Sequence, residues 1–312
     1  MKITVSLTGG LGNQLFQLAA GLNLVSGRNL HLISSLGNPR TNMAGEPELY
    51  SFDLPDNVVI DINREANWLV RRSANYLLRI SASPRKLEAS KFFRAFVSSV
   101  ASIPLSLFLG QKTSIVSTDN VGYSDITLKD TNSLLLGYFQ TFFWADNPVV
   151  KDKLKQICSK NFISEIEYFQ NLAIIERPVV VHVRLTDYLR EESFGLLTKN
   201  YYAHGIEKIL QTTNCKSIWL FSDDTQMARS FLPTDCNLPV RVIDQINGST
   251  ALAFEIMRMG YGYVIANSTF SWWAAYLSSN LDVEVVAPQP WFIEAVEPEF
   301  LIPKHWKRIS RY

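Results

Sequence analysis

The run from Pro178 to Val183 is the strongest constraint on how this chain can fold, because Val179, Val180, Val181 and Val183 leave His182 as its one polar position. A strand that is apolar almost throughout must be covered on both faces, which is the situation of a strand inside a parallel sheet flanked by helices. Further apolar stretches at Ile3–Leu7, Ser217–Phe221, Val240–Asp244, Tyr263–Ala266 and Val283–Ala287 read as strands, with helical segments between most of them. Such alternation predicts an α/β fold. The segment from Leu15 to Val25 is apolar all round, as a helix packed on a sheet requires. With 312 residues, 47% of them hydrophobic, the chain can fill two cores, and the change of character at Arg177 and Pro178 sets the expected domains at 1–175 and 176–312.

Composition narrows the function classes. The formal net charge is +1 and the pI near 7.7, so no overall electrostatic footprint points to nucleic acid. Cys158, Cys215 and Cys236 are widely spaced, without a Cys-x-x-Cys pair or a histidine nearby, which argues against a disulfide framework or a zinc site and favours a reducing compartment. The first residues pass directly into a turn at Thr8 to Gly10, too soon for a signal peptide, and a cytoplasmic location is expected.

One segment departs from this balance. Between Arg64 and Arg94 the basic residues Arg71, Arg72, Arg79, Arg85, Lys86 and Lys91 face only Glu65 and Glu88, interleaved with Trp68, Leu69, Tyr76 and Phe92. An amphipathic helix is predicted there, with either a solvated face or a peripheral contact with anionic lipid at the inner face of a bacterial membrane. The apolar run Ala95–Leu109 is interrupted by Pro104 and falls short of the roughly 20 residues a spanning helix needs, so it is read as core or interface. Residues 38–61 are rich in turn formers and are expected to be irregular.

Ligands of an open parallel sheet bind beyond the carboxyl ends of its strands, so the strand tips carry the functional reading. The first strand runs into Gly9, Gly10, Leu11, Gly12 and Asn13, whose glycines either make a tight structural turn or let a backbone approach a ligand, an anion or a sugar, at the N-terminus of the following helix. The spacing differs from the dinucleotide fingerprint, because Leu15 stands where its third glycine would be. His182 and Arg184 share a face at the tip of the valine strand, where the histidine is either a satisfied core residue or a ligand contact. A guanidinium in that position is either paired with a carboxylate such as Asp187 or Asp223, or held for a phosphate that it grips with two hydrogen bonds. Asp223 and Asp224 end another strand and suit either a ribose or base edge or a helix cap. Asn267, Ser268 and Thr269 bring hydroxyls and free amides to a strand-to-helix junction, a seat for a diphosphate, although helix capping alone would account for one of the hydroxyls. The sequence holds no Asp-x-Asp, the usual two-carboxylate clamp for a metal-bound diphosphate.

These motifs, Gly9 to Gln17, His182 to Tyr188, Phe221 to Asp224 and Asn267 to Leu277, resemble those of the α-1,2-fucosyltransferases of glycosyltransferase family 11. The resemblance implies a GT-B-like fold, two Rossmann-like domains with parallel sheets facing a cleft, the N-terminal one on the acceptor side and the C-terminal one binding GDP-fucose. It implies inverting transfer of fucose to the 2-hydroxyl of a terminal galactoside, in a lipopolysaccharide O-antigen or another surface glycan, with neither a metal nor a cofactor. Arg184 would take the donor diphosphate and His182 and Asp223 the guanosine. Ser268, Thr269 and Phe270 would lie along diphosphate and nucleoside, while Asn13, Gly10 and Gly12 close over the sugar and Asp187 is the candidate base. Leu185 and Thr186 stand where the family commonly has arginine and glycine, and Met257 to Gly260 lacks its usual histidine and cysteine pattern. Two other readings fit the same motifs: a transferase using another GDP-sugar, and a nucleotide-sugar or glycan-binding protein without turnover.

Overall fold

The computed structural model describes residues 2–82, 91–110, 113–118, 120–185, 195–234, 236–244 and 248–312. The chain divides into two compact units, Met1–Ile157 with Pro298–Leu301, and Cys158–Glu297 with Ile302–Tyr312.

The first unit runs β1 (Ile3–Ser6), α1 (Leu11–Val25), β2 (Leu30–Ile33), the short β3 (Phe52–Asp53), β4 (Val58–Asp61), α2 (Trp68–Ala82), α3 (Lys91–Phe108), β5 (Thr113–Ser117), β6 (Asn132–Leu136), α4 (Phe142–Ala145) and α5 (Pro148–Lys155). Its main sheet has the order β4-β2-β1-β6-β5, with every pair parallel. Helix α1 is buried on nearly all sides, and Gly21 lets it lie directly on the sheet, since a Cβ there would meet Leu30 at 2.8 Å and Val5 at 3.1 Å. A second cluster, Val70, Ala74, Leu77, Leu78 and Leu105, packs α2 and α3 together. The run expected to be irregular contains β4 and a 3-10 turn at Glu48–Ser51, because Val58 to Ile60 add an edge strand to β2.

The second unit runs β7 (Cys158–Ser159), α6 (Ile163–Glu176), β8 (Pro178–Val183), α7 (Lys199–Leu210), β9 (Ser217–Ser222), α8 (Thr225–Ala228), β10 (Val240–Ile243), α9 (Thr250–Met257), β11 (Gly262–Val264), α10 (Thr269–Tyr276), β12 (Glu284–Gln289) and β13 (Lys307–Ser310). Its six-stranded sheet has the order β10-β9-β8-β11-β12-β13, again all parallel. In sequence terms this is the 3-2-1-4-5-6 order of a doubly wound nucleotide-binding sheet. The order reverses between β8 and β11, so the chain leaves these neighbouring strands toward opposite sides and opens a crevice at their carboxyl ends. The valine strand β8 is buried at every position, as its composition requires.

Candidate functional site

The crevice between β8 and β11 is built from beneath by α7. Thr198 caps that helix by accepting from the Tyr201 amide at 3.2 Å. Tyr201 then donates its hydroxyl to the Ile265 carbonyl at 2.6 Å, and Tyr202 donates to the His182 carbonyl at 3.2 Å. Two adjacent tyrosines therefore hold the ends of both strands. Neither stood out in the sequence, where the signal was a threonine cap three residues before an aromatic pair.

Four of the candidate residues converge on this crevice. The Arg184 side chain, 21% exposed, lies with Nε 3.4 Å from a carboxylate oxygen of Asp223, the first residue past β9. The other Asp223 oxygen accepts from the Leu185 amide at 2.9 Å, which ties the tips of β8 and β9 together. His182 is 4% exposed, and its Nδ1 is buried without a hydrogen-bond partner among the described residues. Burial, and after it the neighbouring Arg184, push the imidazole down to about 3 against the opposing pull of Asp223, so the ring is neutral at physiological pH. It is not the satisfied core histidine that its apolar strand allowed. The ring of Phe270, in the first turn of α10, has its centroid 6.3 Å from that of His182, and Phe254 of α9 packs edge-on behind it at 5.6 Å.

The junction from β11 to α10 supplies the polar counterpart. Asn267 is buried and donates to the Trp291 carbonyl at 3.2 Å. Ser268 occupies the N-cap position in extended geometry, yet its hydroxyl makes no capping bond, and Ser268 and Thr269 are both half-buried. The hydroxyl is thus left over from the helix's own needs. Trp272 and Trp273 are fully buried packing residues. The opposite end of α10 is held by Arg258, which donates to the Leu277 carbonyl at 2.9 Å and pairs with Glu255 at 3.1 Å. Burial raises the Glu255 carboxyl while Arg258 opposes it. Arg258 thus places a cation at the negative pole of the helix whose N-terminus faces the crevice.

The adjacent aspartates separate in role. Asp224 accepts from the Met227 amide at 2.9 Å and caps α8, whereas Asp223 turns to Arg184. Leu185 is fully buried in the hydrophobic cluster of this unit, so a leucine there serves the core. Thr186 and Asp187 lie outside the described residues.

Gly10, Gly12 and Asn13 belong to the other unit. Gly9 has φ of +71°, and a Cβ on it would meet Asn13 Nδ2 at 2.3 Å, so only glycine fits. Gly10 is the N-cap of α1, and the Leu11 amide that follows donates to the buried Glu48 carboxylate at 2.5 Å. The anion at this helix N-terminus is therefore the protein's own. Gln14 donates to the Gly9 and Arg40 carbonyls at 2.9 and 3.0 Å and accepts from the Leu49 amide at 2.9 Å. Gln17 accepts from the Thr8 amide and donates to the Gly137 carbonyl, both at 3.0 Å. Asn13 accepts from Gln140 at 3.0 Å. Sequence reasoning missed Glu48, Gln140 and the structural work of the two glutamines; fully buried amides on an otherwise apolar helix were the available signal.

The profile of glycosyl transferase family 11 matches residues 107–306, which hold the His182, Asp223 and Asn267 motifs. The chain belongs to glycosyl transferase family 11. It is 26% identical over 332 aligned positions, spanning all of both chains, to the alpha-1,2-colitosyltransferase of Escherichia coli. It is 27% identical over 179 positions, 54% of this chain and 53% of the other, to the O-antigen biosynthesis glycosyltransferase WbnK of Escherichia coli. Among solved structures, the ADP-heptose heptosyltransferase II of E. coli aligns with 99% of this chain and 90% of its own at 14% identity and a TM-score of 0.49.

Proposed function

We propose that this family 11 glycosyltransferase moves L-fucose from GDP-fucose to the 2-hydroxyl of a terminal galactoside, with inversion and without a metal ion. The observation that carries the reading is the Arg184–Asp223 pair at the switch point of a 3-2-1-4-5-6 sheet, beside the N-terminus of α10. In the reaction the acceptor oxygen forms a bond to the anomeric carbon as the bond from that carbon to the diphosphate breaks. The acceptor proton passes to a base, for which Asp187 is the candidate, and GDP departs with the electron pair of the broken bond. Arg184 and the amides of the first turn of α10 meet that charge, and electrostatic stabilisation of this kind supplies several kcal/mol when the groups are held in advance. The long contact to Asp223 keeps the guanidinium in place while leaving part of it exposed to a ligand. The Ser268 hydroxyl adds a donor to the diphosphate, and Phe270 with neutral His182 forms the nucleoside side of the crevice, the bare Nδ1 meeting a polar edge of the guanosine. Asp187 is retained as the candidate base, with Asn13, Gly10 and Gly12 serving the sugar.

A surface glycan of the O-antigen kind is the proposed acceptor, supported by the names of the two E. coli relatives. A second reading takes colitose, the 3-deoxy form of fucose, as the transferred sugar, favoured by the full-length match to a colitosyltransferase. The test is release of GDP from GDP-fucose, GDP-colitose and GDP-mannose against a panel of terminal galactosides, with the product linkage read by NMR. Turnover fastest with GDP-fucose and a product α-1,2 linkage is expected, unchanged by a chelator. Faster turnover of GDP-colitose moves the assignment to the second reading, and loss of turnover with chelator removes the metal-free mechanism.

A further inference from the structure

We propose that the α2–α3 hairpin of the first unit is a docking surface for an anionic lipid bilayer. Helix α2 buries Val70, Ser73, Ala74, Leu77 and Leu78 and turns Trp68, Leu69, Arg71, Arg72 and Arg79 outward. Trp68, Arg72 and Arg79 follow one helical stripe, and α2 contains no acidic residue. Trp68 is 71% exposed and Leu69 46%. On α3, Ile103 and Leu107 are 58% and 76% exposed, with Val100 in the same row. Arg64 joins the two helices at one end, donating to the Phe108 carbonyl at 2.6 Å with its guanidinium 4.6 Å above the Phe108 ring. This bond brings the start of α2 to the end of α3, so Trp68 and Leu69 belong to the same end of the hairpin as Leu107.

The chemistry of that patch selects its partner. Among the described side chains from 64 to 80 stand Arg64, Arg71, Arg72 and Arg79 against one acidic residue, Glu65, while the whole chain carries only +1, so the rest of the sequence is net acidic. Arginines beside an exposed tryptophan and large aliphatic residues match a bilayer interface: the cations meet anionic headgroups, the indole sits at headgroup level and the aliphatic side chains enter the acyl boundary. A nucleic acid would use the arginines and leave Ile103 and Leu107 without a role. No helix among the described residues is long and apolar enough to cross a membrane, so the contact proposed is peripheral.

Co-sedimentation of the full chain with vesicles of phosphatidylcholine alone and with one third phosphatidylglycerol tests this, independently of any transferase activity. Binding is expected only to the anionic vesicles, weakening steeply as salt is raised. Replacing Arg71, Arg72 and Arg79 together by glutamine should lower partitioning about a hundredfold, at about fivefold per charge. Trp68→Ala with Leu107→Asp should lower it at least about tenfold. These side chains are exposed, so folding is expected to survive, and the wild-type lipid and salt dependence tests the proposal without any variant. No binding at low salt, or equal binding to neutral vesicles, overturns it. So does a Trp68→Ala/Leu107→Asp protein that binds as well as the wild type, which would mark a general polyanion surface of the kind RNA uses.

Discussion

Each unit contains a strand that turns sharply into a helix, and the two junctions handle the same physical problem in opposite ways. At β1–α1 the free amide of Leu11 is met by the Glu48 carboxylate, and Gln14 and Gln17 tie the loop to residues 40, 49 and 137, leaving this helix N-terminus filled from within. At β11–α10 Ser268 holds the cap position without capping, a bare imidazole nitrogen and a partly exposed arginine stand nearby, and no internal carboxylate takes the place of Glu48 among the described residues. Polar groups in the first junction are consumed by the fold; in the second some are held back. A helix N-terminus is a ligand site only when the protein leaves its donors unspent.

The largest expected effect lies in the unspent junction. Arg184→Ala should lower turnover at least about a hundredfold, the scale of losing one preorganised donor to a developing anion. Its contact with Asp223 is long and partly solvated, so the unfolding free energy should change by less than about 1 kcal/mol. Steady-state kinetics beside urea denaturation measures both, and near-normal turnover would remove Arg184 from the chemistry. Glu48→Ala should show the reverse pattern. A buried amide loses its charged acceptor, destabilising the first unit by about 2 kcal/mol. Turnover per folded molecule should stay within about threefold, and Glu48→Gln, which keeps an acceptor, should recover most of the stability. If Glu48→Gln folds normally but is inactive, the Glu48 carboxylate itself takes part in the chemistry and the contrast collapses.

The unequal legibility of the two junctions in the sequence has the same physical origin. The valine strand announced a covered parallel sheet because period and polarity agree over six positions, and the polar residues at its tip could be placed relative to the sheet by strand geometry alone. Asp223 and Asp224 were indistinguishable in sequence, since cap and ligand positions favour the same residue type, and only Met227 on one side and Arg184 on the other separate them. Glu48 was hidden for another reason. It sits 37 residues from its amide partner, in a segment whose turn formers gave no period, so no local pattern could link them. Strands β2, β5, β6 and β13 are short and flanked by polar residues, and they acquire their state from sheet neighbours more than from their own composition.

His182 extends the contrast to acid stability. The buried glutamines of α1 carry no charge at any pH, whereas the imidazole is held neutral in the folded chain and regains an ordinary affinity for protons on unfolding. Its folded value, about 3, lies below the unfolded 6.5, so between these limits the unfolded state binds the extra proton and stability falls as pH falls. The slope is at most about 1.4 kcal/mol per pH unit, and the effect fades as pH rises through and past 6.5. His182→Asn should therefore lose less stability than the wild type between pH 7 and pH 5 in denaturant titrations. Parallel losses in the two proteins would mean that the ring is hydrated or paired in solution.

The smallest effect discriminates most finely, because it compares two serines at helix starts within one unit. Ser249 caps α9 by accepting from the Leu252 amide at 3.2 Å, and Ser268 stands at the same position of α10 without doing so. Ser249→Ala should cost about 1 kcal/mol of stability and leave turnover per folded molecule unchanged. Ser268→Ala should leave the unfolding midpoint where it was and weaken donor binding about tenfold, the loss of one hydrogen bond to a charged group. Donor affinity by calorimetry with GDP, set against thermal unfolding of both variants, separates the outcomes. Should Ser268→Ala destabilise as Ser249→Ala does while GDP affinity stays constant, the hydroxyl belongs to the helix, and the donor phosphates are bound without it.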